Sequence, residues 1–221
     1  MTLTLPDGRE VRPGKILCIG RNYADHVREM GDVQGLPSEP VVFLKPPSAL
    51  VADGGTIELP RQSQDVHHEV ELVAVIGTGG KDIAEADALD HVAGYALGLD
   101  LTARDLQRKA KDAGKPWSVA KGFDTFAPLG PIAAADDLGD VQALGIELKV
   151  NGEVRQAGNT GQMLFPIARL VALLSEVFTL EPGDLIYTGT PEGVGPVRDG
   201  DVLEATGDGL PPLTMTARAS G

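Results

Sequence analysis

Residues 66–76 read V-H-H-E-V-E-L-V-A-V-I, and their pattern decides how the rest of the chain is arranged. The apolar residues Val66, Val70, Leu72, Val73, Val75 and Ile76 predict one buried β-strand over the whole stretch. Side chains alternate along a strand, so Glu69 and Glu71 share a face, about 6.5–7 Å apart. Two carboxylates among apolar neighbours repel unless a cation lies between them. A lone E-x-E is commonly an exposed edge with two solvated acids; the apolar run after Glu71 argues against that here. His67 falls on the face of Glu69. His68 falls on the other face, where a hydrogen-bonded core histidine is the plainer reading.

A second apolar stretch, His91–Leu101, ends at Asp100. Pairing the two strands brings Asp100 to Glu69 and Glu71. Three carboxylates without a thiolate make a hard oxygen site, which suits Mg²⁺ or Mn²⁺ and leaves positions for water or substrate. Zinc fits poorly, because the chain has one cysteine and its histidines are not at metal-ligand spacing.

The 221 residues suffice for one sizeable core, and a single domain over 1–221 is expected. A net charge of −13 argues against nucleic acid or an anionic membrane as partner, while a metal and a few cations can still reverse the potential inside a cleft. The single cysteine, Cys18, cannot form an intramolecular disulfide. The N-terminus lacks a signal pattern and no run of 18 apolar residues occurs, so a cytoplasmic protein is expected.

The remaining elements read in order. Residues 1–14 form a hairpin turning at Asp7-Gly8, and Lys15–Gly20 is a short strand. Asn22 is placed to cap a short helix on which His26 and Glu29, three apart, share a face. That pair is either a solvated ion pair or a base oriented by an acid. The Gly- and Pro-rich stretch Gly31–Pro40 suits a hinge, making residues 22–36 an expected mobile lid. Val41–Lys45 is a strand whose Lys45 is read first as a surface lysine, with a cation at the cleft rim as the alternative. A short helix is expected over Ile83–Leu89 and another over Thr102–Lys111, where Arg104 and Gln107 share a face suited to a carboxylate. Asp105 reads as a first-turn acid. Lys121, flanked by Val119, Ala120 and Phe123, is a half-buried cation that three nearby acids would keep charged. Ile146–Gln156 is a hairpin about Asn151-Gly152, and Met163–Phe178 an amphipathic helix. The Gly-rich loop Gly189–Gly195, with Thr190, can offer main-chain N–H groups to an anion. Short strands and frequent turns make the fold β-rich α+β.

Five stretches in this order, G-R-N-Y-A-D-H-V-R-E-M (20–30), H-H-E-V-E-L (67–72), L-D-L-T-A-R-D-L-Q (99–107), K-G-F-D (121–124) and T-G-T-P-E-G-V-G (188–195), resemble the fumarylacetoacetate hydrolase family over roughly residues 15–215. The likeness is nearest to its single-domain acylpyruvase and oxaloacetate decarboxylase branch. It implies a mixed β-roll of the C-terminal-domain type with short peripheral helices, and a homodimer. It further implies Glu69, Glu71 and Asp100 as metal ligands, His26, Glu29 and Lys121 as catalytic, and Arg104, Gln107 and Thr190 as substrate-binding. The activity so implied is metal-dependent hydrolysis of acylpyruvates to pyruvate and a carboxylic acid, together with oxaloacetate decarboxylation. Isomerisation or decarboxylation of unsaturated dicarboxylates, and oxaloacetate keto–enol tautomerisation, use the same triad and stay open. So does a non-catalytic binder of 2-oxo acids. The chain has no acid between Cys18 and Tyr23 for the extra ligand of fumarylacetoacetate hydrolase itself, and no room for that enzyme's added N-terminal domain, which favours the small-substrate branch.

Overall fold

The computed structural model describes residues 1–29 and 35–220. The middle of the expected lid therefore lies outside the described residues. In chain order, β1 (Leu3–Thr4) and β2 (Glu10–Val11) form the N-terminal hairpin. They lead into β3 (Ile16–Gly20), α1 (Ala24–Glu29) and β4 (Val41–Lys45). After β5 (Leu50–Ala52) and β6 (Thr56–Leu59) comes the pair that carries the acids, β7 (Val66–His68) and β8 (Val70–Ile76). Next are β9 (Val92–Leu99), β10 (Thr102–Ala103), α2 (Arg104–Asp112), α3 (Ser118–Lys121), β11 (Ala127–Leu129) and β12 (Ala133–Ala134). The chain ends with β13 (Gly145–Val150), β14 (Glu153–Asn159), α4 (Ile167–Val177), β15 (Leu185–Tyr187), β16 (Gly195–Pro196), β17 (Val202–Gly207) and β18 (Leu210–Ala219).

The main sheet runs β4-β3-β15-β8-β9-β11-β5, with β12 added beside β9, and curls into a half-barrel. A second sheet, β14-β13-β17-β18-β6, packs across it. β8 lies at the centre and is buried on both faces. Its Leu72, Ala74 and Ile76 enter the core shared with Leu148, Leu203 and Leu213 of the second sheet. Its Val73 and Val75 face the other way, with Ile16, Cys18, Ala96 and Tyr187. Double-sided burial explains the unbroken apolar run of the sequence. Glu71 has the parity of Val73, so it sits at the end of that second, concave face.

The expected single strand over 66–76 is interrupted. β7 belongs to a small sheet with β10 and β16, whereas β8 pairs with β9 and β15, and the chain changes sheets at Glu69. The carbonyl of Glu69 is held at this break by the Asp100 N–H at 2.8 Å. β9 pairs antiparallel with β8 and ends just before Asp100, as the sequence predicts.

Other differences have local causes. The helix expected from Met163 begins at Ile167, because the Pro166 ring disfavours helix in the residue before it and Pro166 itself is extended, with ψ of 156°. The segment near Ile83–Leu89 is a 3₁₀ helix over Glu85–His91. Asn22 does not serve chiefly as a helix cap. Its carboxamide donates to the carbonyls of Thr188 (2.7 Å) and Phe165 (3.1 Å) and accepts from the Phe165 N–H (2.8 Å), pinning the start of α1 to the core.

Candidate active site

Glu69, Glu71 and Asp100 are buried, and each offers a carboxylate oxygen within 4.8 Å of the other two. The sheet change at Glu69 and the end of β9 at Asp100 bring them together. Two ammonium groups approach them. Lys121 Nζ donates to Glu69 Oε2 (2.9 Å) and Asp100 Oδ2 (2.5 Å). Lys45, read first as a surface residue, is instead wholly buried, and its ammonium lies 2.8 Å from Asp100 Oδ1. Lys45 also donates to the carbonyls of Leu101 (2.9 Å), Lys121 (2.6 Å) and Phe126 (2.8 Å). With its donors aimed at carbonyls, Lys45 offsets the charge of Asp100 while Oδ1 has no hydrogen bond among the described residues.

The three acids are not electrostatically alike. Burial alone would raise the Glu69 carboxyl, but Lys121 and Arg104 hold it well below the usual carboxylate range. Burial pushes Glu71 well above that range, and the charges of Asp100 and Glu69 push it further. Among the described residues its charge is stabilised by a hydrogen bond from the Gly189 N–H at 2.8 Å. Gly189 has φ of 98°, and a Cβ there would stand 2.7 Å from Asn22 Cβ, so this close donor requires glycine. A buried acid short of positive charge, beside a buried Asp oxygen without a hydrogen bond, fits a divalent cation with oxygen ligands.

The other expected residues gather here. Arg104 and Gln107 are buried at the start of α2; the guanidinium donates to Gln107 Oε1 (2.9 Å) and to Glu69. His26 is buried on α1 and lines the same cleft as Glu69, Arg104, Gln107 and Lys121. Burial lowers the His26 pKa, which favours the neutral ring. His26 Nδ1 lies 3.4 Å from Glu29 Oε2, and Glu29 is steadied by the Gly193 N–H at 3.1 and 3.2 Å. The Thr190 hydroxyl donates to Val70 O (2.8 Å) and accepts from Gln156 Nε2 (2.8 Å).

Gln156 escaped the sequence reading. It is buried, and its Oε1 accepts from Val70 N–H and from His68 Nδ1, both at 3.0 Å. Its Nε2 also donates to the Pro191 carbonyl at 2.9 Å. One carboxamide therefore ties the strand break, the Gly-rich loop and the core histidine His68 together. Nothing in a hairpin residue beside N-G announces that role. Lys45 did carry a signal: on an alternating strand it shares a face with Phe43, and that face points inward.

A curled sheet cradling a buried carboxylate triad, with a lysine between two of the acids and His26 lining the same cleft, defines a β-roll protein with a candidate metal centre. Residues 15–218 match the profile described as fumarylacetoacetate (FAA) hydrolase C-terminal, and the chain belongs to that family of enzymes. It is 49% identical over 196 residues to the mitochondrial oxaloacetate tautomerase of Arabidopsis thaliana, covering 89% of this chain and 87% of that protein. It is 48% identical over 197 residues to the mitochondrial oxaloacetate decarboxylase of Dictyostelium discoideum, covering 89% of each. The fold superposes on fumarylpyruvate hydrolase from Pseudomonas aeruginosa, solved with Mn²⁺ and pyruvate, with a TM-score of 0.91 and 42% identity; the match covers 100% of this chain and 96% of that one.

Proposed function

We propose that this protein is a divalent-metal-dependent enzyme that works through the enolates of short 2-oxo acids, with oxaloacetate as its first substrate. The observation that carries this is the buried triad of Glu69, Glu71 and Asp100 with Lys121 shared between two of its members. These acids hold Mg²⁺ or Mn²⁺; the Mn²⁺ and pyruvate in the P. aeruginosa relative support that ligand set and substrate class. When bound, the cation supplies Lewis acidity toward the 2-oxo and carboxylate oxygens of the substrate and favours its enolate.

The chain's own groups do the rest. Arg104 and Gln107 hold the substrate carboxylate, and Lys121 keeps a positive charge beside the developing enolate. The Thr190 hydroxyl is committed to Val70 and Gln156, so Thr190 contributes through its main chain. His26, kept neutral by burial, takes the C3 proton of oxaloacetate through the ring nitrogen turned away from Glu29. Returning that proton to the enolate oxygen completes tautomerisation. In decarboxylation the C3–C4 bond breaks instead, CO₂ leaves, and its electron pair forms the pyruvate enolate.

A second reading, acylpyruvate hydrolysis, is favoured by the His26–Glu29 pair and by the fumarylpyruvate hydrolase neighbour. The pair takes a proton from water, the oxygen attacks C4, and the C3–C4 bond breaks to give a carboxylic acid and pyruvate. Turnover of oxaloacetate and of acetylpyruvate, each followed by ultraviolet absorbance with Mg²⁺, tests both readings. Enolisation or decarboxylation of oxaloacetate is expected, with acetylpyruvate cleavage if the second reading also holds. Inertness toward both in a folded, metal-loaded protein would refute the assignment.

We also infer a homodimer, on the family resemblance and on the outward Val42 and Leu44 of the edge strand β4. Sedimentation at twice the chain mass is expected. A cytoplasmic location is our proposal from the lone buried Cys18. Among the described residues no helix is long and apolar enough to cross a membrane.

A further inference from the structure

Beside the triad, sheet pairing passes from main chain to side chains. β15 ends at Tyr187, opposite Val73. Just beyond it, the Leu72 carbonyl accepts from both the N–H (3.1 Å) and the hydroxyl (2.8 Å) of Thr188. The Val70 carbonyl, two residues further along β8, accepts from the Thr190 hydroxyl (2.8 Å). The Val70 N–H, between the two glutamates, donates to Gln156 Oε1 (3.0 Å). Side chains thus hold the Gly-rich loop against β8, and a main-chain donor of that loop, the Gly189 N–H, turns to Glu71 at 2.8 Å.

Gln156 reaches this place from the other sheet. It lies on β14, an edge strand that exposes its Val154 and buries its Gln156. A buried carboxamide costs stability unless its hydrogen bonds are made. Here they are: Oε1 accepts from the Val70 N–H and His68 Nδ1, and Nε2 donates to the Thr190 hydroxyl and the Pro191 carbonyl. The Val70 N–H can only donate and the Pro191 carbonyl can only accept, so the carboxamide has one orientation. Its accepting side belongs to the arc of the acids and its donating side to the loop. We propose that Gln156 is a positioning residue for the 2-oxo acid. It sets the main chain at Thr190 and Pro191 at a fixed distance from the arc that carries Glu69 and Glu71. This inference rests on the reading of the triad as a 2-oxo acid site. Gln156 acts through Thr190 and Pro191 rather than on the reacting atoms. Loss of its donating side lets the loop shift against the acids, and outer partners of this kind are worth about 10-fold.

The test is calorimetric titration of Mn²⁺-saturated protein with pyruvate. It compares wild type, Gln156→Met, Gln156→Glu and Thr190→Val, and each Gln156 variant combined with Thr190→Val. Gln156→Met removes every hydrogen bond of the carboxamide at nearly constant volume. Gln156→Glu keeps the accepting side and turns the donating side into an acceptor. Each is expected to weaken pyruvate binding about 10-fold, a readout that lost stability alone does not move in a folded, metal-saturated protein. In the Thr190→Val background the hydroxyl link is already cut. There Gln156→Met is expected to cost less than about three-fold, and Gln156→Glu only what its added charge costs. If wild type fails to bind pyruvate, the 2-oxo acid site and this role fall together. The role alone is overturned, with wild type binding pyruvate, by any of three results. A folded Gln156 variant binds pyruvate within about two-fold of wild type, or the loss from Gln156→Met multiplies in full with that from Thr190→Val, or neither Gln156 variant folds.

Discussion

Lys45 and His26 are both buried titratable residues near the triad, Lys45 against Asp100 and His26 toward Glu69 and Glu29, and their surroundings give them different work. Lys45 donates to three carbonyls from three segments of chain and sits against Asp100, so it organises the floor of the site. Burial lowers its pKa, and the Asp100 charge opposes that shift. Removing one member of a buried ion pair strands the other, at a cost of about 3–5 kcal/mol. Lys45→Met should therefore lose about that much stability in urea unfolding; a loss under about 1 kcal/mol would mean the ammonium is dispensable. His26 touches no triad oxygen through a hydrogen bond and is steered by Glu29. His26→Ala should slow water-dependent acylpyruvate cleavage by about 10²–10⁴-fold and decarboxylation much less. Equal losses in the two reactions would remove the water-activating role.

At the scale of elements, the site depends on where α2 starts. Asp105 anchors that start: its carboxylate accepts from the Ser63 hydroxyl (2.7 Å), the Gln64 N–H (3.2 Å) and the Leu106 N–H (2.9 Å). Its neighbour Arg104 and, one turn on, Gln107 are thereby fixed toward the cleft. Burial works against the Asp105 charge, but these hydrogen bonds outweigh it and lower the pKa below its ordinary 3.8. A depressed carboxylate pKa stabilises the fold above the unfolded value and stops doing so as pH falls through the folded one. Asp105→Asn should thus cost about 1 kcal/mol at pH 7, and the deficit should shrink as the pH is taken below the ordinary 3.8 in urea titrations. A deficit unchanged on acidification would show that the carboxylate charge is not involved.

The same scale shows what could be read ahead of the fold. The triad was legible because its acids interrupt apolar runs, and in a buried strand an acid needs an electrostatic reason. The His26–Glu29 and Arg104–Gln107 pairs were legible because each spans one helical turn. Lys45 was misread because V-V-F-L-K also describes an edge strand ending at the surface, which β4 is on its Val42 and Leu44 side. Gln156 was invisible for another reason. Its four partners come from residues 68, 70, 190 and 191, and only the packing of the two sheets brings those to residue 156. The break at Glu69 was equally hidden, since a change of sheet leaves no mark on local periodicity.

Across the whole molecule, the order β4-β3-β15-β8-β9-β11-β5 joins strands far apart in sequence, and family resemblance rather than pattern pointed to the roll. The acidic surface and the cation-lined cleft are parts of one electrostatic design. A net charge of −13 disfavours polyanions, while on the function proposed above Arg104, Lys121 and a cation held by the triad would make one pocket hospitable to a small anion. The account stands on that cation being bound where the acids meet. The most direct test is Mn²⁺ titration of chelator-stripped protein, wild type against Glu71→Gln, monitored by calorimetry with oxaloacetate turnover measured on the same samples. The account predicts one Mn²⁺ per chain in the wild type, with turnover restored on loading, and a fall in affinity of at least about 10-fold in the variant. Undiminished Mn²⁺ affinity in a folded Glu71→Gln protein, or full turnover without metal, would contradict it.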